Sequence, residues 1–439
     1  MEQIKILKVV MVCNMSNAMV RSHLPLDDGK IYNMLRRLLG MKPKNEGHND
    51  LAIWNTNIAD FFSSRSDIDF TIISVHSSMK RLKVAFTEGN INYIFLNHQW
   101  VNLLKRLVKN RERWVRINPL AKKVKKEIDK INPDLVLLMG LENSYYSSTV
   151  LGIRKYPLYA LCQTVYNNPM RGKYGEVNLD NATTEMLLFR ELRYIGVYSK
   201  MHYELVRDYC PNTYILKYGF PCKGELLKPS ETKKEFDFVN FAMSMDLNKG
   251  FHDSIQALAV VKETHNTVKL NLIGACSDII KEELLKLIEV LGLKDNVVFT
   301  PFFDKQSDLF SHIQKSRFAV LPCKLDNVSG TMMQAMQLGL PIVVYKTSGT
   351  PTFNRKKQCA LIAEKENVDE LGKLMSKLMD MPELAEELRI NAREWQENKL
   401  EDDMHNGERL ISNFKAIVDN FKYGTPIPTN QCFNPGTDD

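Results

Sequence analysis

The 439-residue chain lacks long apolar runs and lacks paired cysteines. Near its N-terminus only Val9 to Cys13 is continuously apolar, far short of a signal-peptide core or a membrane span. No later segment reaches the roughly 18 consecutive apolar residues of a spanning helix. The eight cysteines (Cys13, Cys162, Cys210, Cys222, Cys276, Cys323, Cys359 and Cys432) stand singly, and no C-x-x-C pair occurs. They read as buried thiols of a cytosolic protein, not as disulfides or zinc ligands. No cluster of carboxylates suggests a metal site, and no cofactor is implied.

What is present is ordinary globular material, 44% apolar and 25% charged, in a chain long enough for two or three domains. The net charge of +7 matters less than its placement. Lys105, Arg106, Lys109, Arg111, Arg113, Arg116, Lys122, Lys123, Lys125 and Lys126 face a single Glu112 in the same stretch. Trp100 and Trp114 accompany them, and Trp100, Leu103, Leu104, Leu107 and Val108 share one helical face. Residues 100–126 therefore read either as a solvated helical face or as a surface for an anionic membrane or a lipid-linked acceptor. Nucleic acid is not expected, since no binding motif accompanies the patch and the pI is about 8.8.

Short runs rich in Val, Ile, Leu and Phe predict strands at Phe236–Met243, Lys269–Gly274, Asn296–Pro301, Phe318–Cys323 and Pro341–Lys346. Segments of helical period lie between them, carrying Ile255 and Leu258, Leu284 and Ile288, Leu309 and Ile313, and Met332 and Met336. Apolar strands alternating with helices mean a parallel sheet covered on both faces. The first half repeats the theme at Ile6–Cys13, Phe70–Val75, Tyr93–Leu96, Leu135–Met139, Leu158–Cys162, Ile195–Tyr198 and Thr213–Tyr218. The predicted class is α/β, two doubly wound Rossmann-like domains facing a cleft. The expected division is 1–218 and 219–405, with a Gly- and Pro-containing linker at Gly219–Ser230. A helix at 406–423 packing back on the first domain and a mobile tail at 424–439 complete the expectation.

The most informative stretch is Leu321 to Phe353, LPCKLDNVSGTMMQAMQLGLPIVVYKTSGTPTF. A strand ends at Cys323, a polar loop follows, and a helix starts near Ser329–Gly330. Amides at such a start lack helical partners, and the helix dipole favours an anion there. Thr347–Pro351 forms a second small-residue loop at the same sheet edge. The two loops read either as a diphosphate cradle or as a helix cap followed by an ordinary turn.

The pattern Pro322, Asp326, Gly330, Gln334, Ala335–Met336, Gly339 and Pro341 resembles the donor-site signature of the family-4 retaining glycosyltransferases of the GT-B fold. Lys249–Gly250 matches that family's Lys-Gly, and Gly349–Thr350–Pro351 loosely matches its Gly-Gly-x-Pro loop. The resemblance covers most of Phe238–Arg393 and the first half only in outline. Three positions depart from it. Asp326 and Gln334 stand for paired glutamates, Ser244 stands for an arginine, and Asn14–Pro25 lacks the usual glycines. The resemblance assigns Lys249 to the donor diphosphate, Asp326 to the transferred sugar and Gln334 to the ribose. It gives Val328, Ser329, Gly330 and Thr331 backbone contacts to phosphate or sugar oxygens, and makes Gly349 and Thr350 further donor contacts. Lys249 and Asp326 are then the catalytic candidates, and no metal is needed.

Glu142, Gln163, His98 and Arg21 are the acceptor-side candidates, and His76 also follows a strand. The function implied is transfer of a sugar from a nucleotide-sugar donor, UDP- or GDP-linked, to a hydroxyl of a saccharide or lipid-linked acceptor. Polysaccharide or glycoconjugate assembly is the implied setting, in the cytosol or on the inner membrane face. Gln334 and Ser244 motivate a second reading, a non-catalytic sugar-nucleotide binder supporting another transferase. A nucleotide-sugar epimerase of the same fold is a third.

Overall fold

Apolar runs without polar alternation cannot leave one face in water, so their strands must be covered on both sides. The computed structural model describes residues 6–26, 34, 35, 37, 38, 50, 52–76, 79–98, 110–175, 177–221, 226–303, 305–325 and 328–437. Its chain divides into two compact units.

The first unit is built on strands β1 (Leu7–Cys13), β2 (Ile68–His76), β3 (Lys83–Glu88), β4 (Ile91–Asn97), β5 (Leu135–Met139), β6 (Leu158–Leu161), β7 (Tyr194–Val197) and β8 (Tyr214–Lys217). They form one sheet in the order β3-β4-β2-β1-β5-β6-β7-β8, parallel throughout except that β3 pairs antiparallel with β4. Pleating sends alternate residues of β1 into two separate cores. Val10 and Val12 join one, while Val9, Met11 and Cys13 join the other. Helices α1 (Ala18–His23), α2 (Ile53–Ser63), α3 (Arg111–Arg116), α4 (Pro119–Ile131), α5 (Leu179–Glu191) and α6 (Lys200–Tyr209) belong to this unit.

The second unit carries β9 (Phe236–Ser244), β10 (Leu270–Ala275), β11 (Val297–Thr300), β12 (Ser316–Leu321), β13 (Ile342–Tyr345) and β14 (Leu361–Ala363). All its pairings are parallel, in the order β11-β10-β9-β12-β13-β14. That is the doubly wound order in which winding reverses beside the first strand, here between β9 and β12. Helices α7 (Phe251–Lys262), α8 (Asp278–Val290), α9 (Gln306–Ile313), α10 (Gly330–Gln337), α11 (Val368–Asp380) and α12 (Pro382–Met404) follow. No helix among the described residues is long and apolar enough to cross a membrane.

Every strand anticipated from the sequence is present, with ends shifted by a residue or two. Two strands escaped the reading. β3 is an exposed edge strand that begins with Lys83 and ends with Glu88, and β14 has only three residues. The anticipated helix from Trp100 lies outside the described residues.

The linker is interrupted by undescribed positions, and the contact boundary falls at Lys223/Gly224 rather than before Gly219. Residues 169–177 group with the second unit, while the chain from Asp403 onward groups with the first. There α13 (Asn406–Tyr423) buries Leu410, Phe414 and Ile417, spaced on one face, against the β-sheet core. The Phe414 ring lies 6.0 Å from that of Phe62. The tail also differs from expectation. Ile427 and Phe433 are buried, the Phe433 amide donates to the Ile215 carbonyl at 2.9 Å, and Cys432 bridges Leu216. Cys432 and Phe433 thereby cover the edge of β8, which would otherwise present its backbone groups to water.

Candidate functional site

Doubly wound sheets bind ligands beyond the strand C-termini at the point where winding reverses. In the second unit this places the loops after β9 and β12 side by side. After β9 the chain makes a single tight turn, Leu247–Lys249, capped by Asp246. Asp246 Oδ1 accepts the Lys249 amide at 3.2 Å, and Oδ2 accepts the Ser244 hydroxyl at 2.8 Å. Gly250 then opens α7 at φ +69°, a left-handed conformation that suits glycine. A Cβ at this position would overlap the Pro322 carbonyl oxygen and lie 2.7 Å from Pro322 Cγ. The absent side chain thus lets the two loops touch. Hydrogen bonds hold them there: the Lys324 amide donates to the Asn248 carbonyl at 2.9 Å, and the Leu325 amide to Asn248 Oδ1 at 2.8 Å. Lys249 stands half-buried beside this seam.

The second loop ends at the start of α10. Ser329 is its N-cap, accepting the Met332 amide at 3.3 Å, and its hydroxyl lies 2.8 Å from that of Thr331. Gly330 is exposed, and among the described residues a Cβ there would meet nothing within 4 Å. Ser329 takes up the Met332 and Met333 amides, which leaves the Gly330 and Thr331 amides without a helical partner at the positive end of the helix dipole. Val328 and Gln334 are half-buried nearby in sequence, and Asp326 lies outside the described residues. The Thr347–Pro351 loop is closed on itself. The Gly349 and Thr350 amides point to Thr347 Oγ1 at 3.4 and 3.3 Å, and the buried Thr350 hydroxyl donates to the Tyr345 carbonyl at 3.0 Å. Thr350 thus offers no free side-chain donor to a ligand, because its hydroxyl shapes the turn.

In the first unit winding reverses between β1 and β5, and the acceptor-side candidates follow strand ends there. Arg21 sits in α1, bonded to Asp50 at 2.8 Å and Ser16 at 3.2 Å. His98 follows β4 with its ring 5.1 Å from that of Tyr145, and His76 ends β2 in a buried position. Glu142 follows β5 on a turn that Gly140 makes at φ +81°. Burial first, and then the Glu142 charge, push the Tyr146 hydroxyl well above its usual pKa. Gln163 follows β6, its carbonyl accepting the Tyr198 hydroxyl at 3.0 Å.

Of the basic stretch, the described residues begin at 110. Trp114 is buried in the core, as are Leu120, Val124 and Ile128 of α4, so the apolar face is already used. That removes Trp114 as a membrane anchor. Lys122, Lys123 and Lys126 are exposed on the opposite face, whereas Arg111 pairs with Asp180 and Arg116 with Glu112 and Glu191.

Two arrangements were not foreseen from sequence. Asp253, in the first turn of α7, is buried between Lys324 Nζ at 2.8 Å and the Tyr345 hydroxyl at 2.8 Å. Burial, and then Asp253, hold the Tyr345 hydroxyl far above its usual pKa. In the first unit the buried Glu185 accepts the Tyr166 and Asn167 amides at 2.8 and 2.7 Å and so fixes the loop after β6. The only sequence signal was a charged residue at a helical position that otherwise faces the core.

Residues 223–395 match the protein family described as Glycosyl transferases group 1. An uncharacterized glycosyltransferase of Haemophilus influenzae is 25% identical over 171 residues, which are 39% of this chain and 45% of that relative. The match thus spans less than half of the relative's length. Among solved structures, sucrose-phosphate synthase of Thermosynechococcus elongatus superposes with a TM-score of 0.66 at 13% identity, covering 93% of this chain and 99% of that one. Anabaena HepE, solved with UDP and glucose, gives 0.62 at 15% identity, covering 93% and 100%. An Escherichia coli trehalose-6-phosphate protein bound with UDP-2-fluoro glucose gives 0.63 at 11%, covering 93% and 99%. At such identities the likeness speaks for the fold. The second Rossmann-like unit therefore carries a glycosyl transferases group 1 domain, within a two-domain α/β fold of the GT-B type.

Proposed function

We propose that the chain transfers a sugar, with retained configuration, from a nucleotide-sugar donor to a hydroxyl of a saccharide or lipid-linked acceptor, in polysaccharide or glycoconjugate assembly. The observation that carries this reading is the seam at the β9/β12 reversal inside the matched domain. There Gly250 lets the Lys249 turn touch the loop leading to the open start of α10. A lysine and a helix N-terminus converging on one sheet edge suit a diphosphate. In this reading Lys249 and the first-turn amides of α10 neutralise the departing diphosphate, whose oxygen takes the acceptor proton. Asp326 faces the sugar as positive charge develops on it, and Gln334 holds ribose hydroxyls. Such chemistry rests on positioning and charge neutralisation more than on a strong side-chain base. Two of the fold neighbours were solved with UDP or a UDP-sugar, which makes UDP-sugars the first donors to test.

The test is thermal-shift screening against UDP-, GDP-, ADP- and CMP-sugars, followed by product analysis with the stabilising donor. A bound donor at a hundredfold excess over its dissociation constant stabilises the fold by about 2.7 kcal/mol. No stabilisation by any of the four would remove the reading. A second reading has its own observation: Ser244, where the family resemblance expects an arginine, bonds to Asp246 and supplies no cation. It makes the chain a sugar-nucleotide binder without transfer, distinguished by donor binding with no diphosphate release in the presence of acceptors. The exposed Lys122, Lys123 and Lys126 give an anionic membrane only a screened electrostatic contact, which co-sedimentation with anionic vesicles at low and physiological salt measures.

A further inference from the structure

We propose that Lys324 is a positioning residue: its buried ion pair with Asp253 holds the loop after β12 in the form that receives the donor diphosphate, a role that rests on the donor-site reading above. The Lys324 and Asp253 side chains keep only 9% and 8% of their exposure, so the pair is nearly dry. Asp253 belongs to the first turn of α7, immediately after Lys249 and Gly250. Lys324 belongs to the opposite loop, between Pro322 and the α10 cap Ser329. The pair therefore joins the two sides of the winding reversal from beneath. The Lys324 amide to Asn248 and the Leu325 amide to Asn248 Oδ1 join them again one residue away. Tyr345, at the end of β13, donates to the other Asp253 oxygen and fixes its rotamer.

Asp253 thus has one oxygen for each neighbouring strand end, and the bridge is a three-strand tie under the loop. Lys324 Nζ also lies 5.7 Å from the Tyr174 ring centroid, where Lys365 Nζ approaches at 5.7 Å. The ammonium therefore sits between Asp253 and an aromatic ring, and what the pair fixes is the loop that carries Lys324. An apolar residue of equal reach would fill the same space without fixing where the loop sits, because dispersion has no preferred direction.

The experiment compares wild type with Lys324→Met, Lys324→Arg and the double variant Asp253→Asn/Lys324→Met. It reads amide hydrogen exchange of the ligand-free proteins, thermal midpoint, and UDP affinity by titration calorimetry. Lys324→Met is expected to speed exchange at 324–333 and to weaken UDP binding by about tenfold each, since small displacements of a preorganised site are costly. The double variant removes the uncompensated buried carboxylate and is expected to regain the thermal midpoint while leaving exchange and UDP binding impaired. Lys324→Arg keeps the charge and is expected to retain most of the protection. Recovery of UDP affinity together with the midpoint in the double variant would make the pair merely structural, and unchanged exchange at 324–333 in Lys324→Met would overturn the proposal outright. If wild type binds none of UDP, GDP, ADP and CMP, the glycosyltransferase reading falls, while the exchange data still decide whether Lys324 holds the loop.

Discussion

Gly250→Ala puts the seam at the β9/β12 reversal under direct load. Two costs arise, and a control separates them. The first is backbone strain: at φ +69° an L-residue costs about 1–2 kcal/mol. The second is steric. The new Cβ overlaps the Pro322 carbonyl oxygen and sits 2.7 Å from Pro322 Cγ, where ordinary contact begins at 3.4 Å. Both atoms belong to the Pro322 ring or backbone, which cannot rotate away, so the loops must part by on the order of 1 Å, a displacement that at a reacting site costs up to ~10²-fold in rate. Gly292→Ala is the control. Gly292 has φ +65° with nothing among the described residues within 4 Å of a Cβ, and it lies between α8 and β11.

Both variants should lose similar stability from strain, seen as a lowered thermal midpoint. Only Gly250→Ala should also lose donor-dependent turnover, read as nucleoside diphosphate release at rising donor concentration. Lost turnover in Gly292→Ala as well would mean that general destabilisation explains the effect. Full turnover in Gly250→Ala would refute the reasoning, because it would show that the contact between the two loops does not shape the site.

Other outcomes follow from the same geometry. Lys249→Ala should weaken donor binding and turnover by at least about 1.5 kcal/mol, the scale of a charge-assisted hydrogen bond, measured by calorimetry and initial rates. Asp326→Asn should lower turnover at saturating donor far more than donor affinity, since its proposed partner is charge that develops in the transition state. Truncation after Gly424 should destabilise the first unit by about 1.5–3 kcal/mol for the lost burial of Phe433, with more for Ile427, read by denaturant unfolding. Burial, and then Lys315, lower the pKa of His312, whose Nε2 faces the Asn271 amide at 2.9 Å. Its contribution is therefore complete above the unfolded value near 6.5 and declines as pH falls below it. The thermal midpoint should drop between about pH 7.5 and about pH 5.5, and less steeply in His312→Gln, whose amide oxygen can take the same bond.

The strands of both sheets were legible because a doubly covered strand must be apolar on both faces, and that requirement writes a continuous run. β3 carries no such requirement: it lies at the sheet edge with Lys83, Ala85, Thr87 and Glu88 exposed, and only Val84 and Phe86 pack on the core, too few apolar residues to write a continuous run. The tail misled for the opposite reason. Ile427 and Phe433 are isolated in a polar segment, and what orders the second of them is the edge of β8, a property of the sheet rather than of the tail.

The donor-side candidates show the same division. Gly250 and Ser329 were readable because a close approach and a helix cap each demand one residue type at one position. Lys324 and Asp253 were not, because either alone is an ordinary exposed charge, and only the fold brings residues 71 positions apart into one dry pair. Local rules thus expose the turn and the cap, while the ties that hold them are long-range pairs. The seam at Gly250 is where the two kinds of constraint meet: a local glycine permits the contact, and the buried pair beneath it decides where the contact rests.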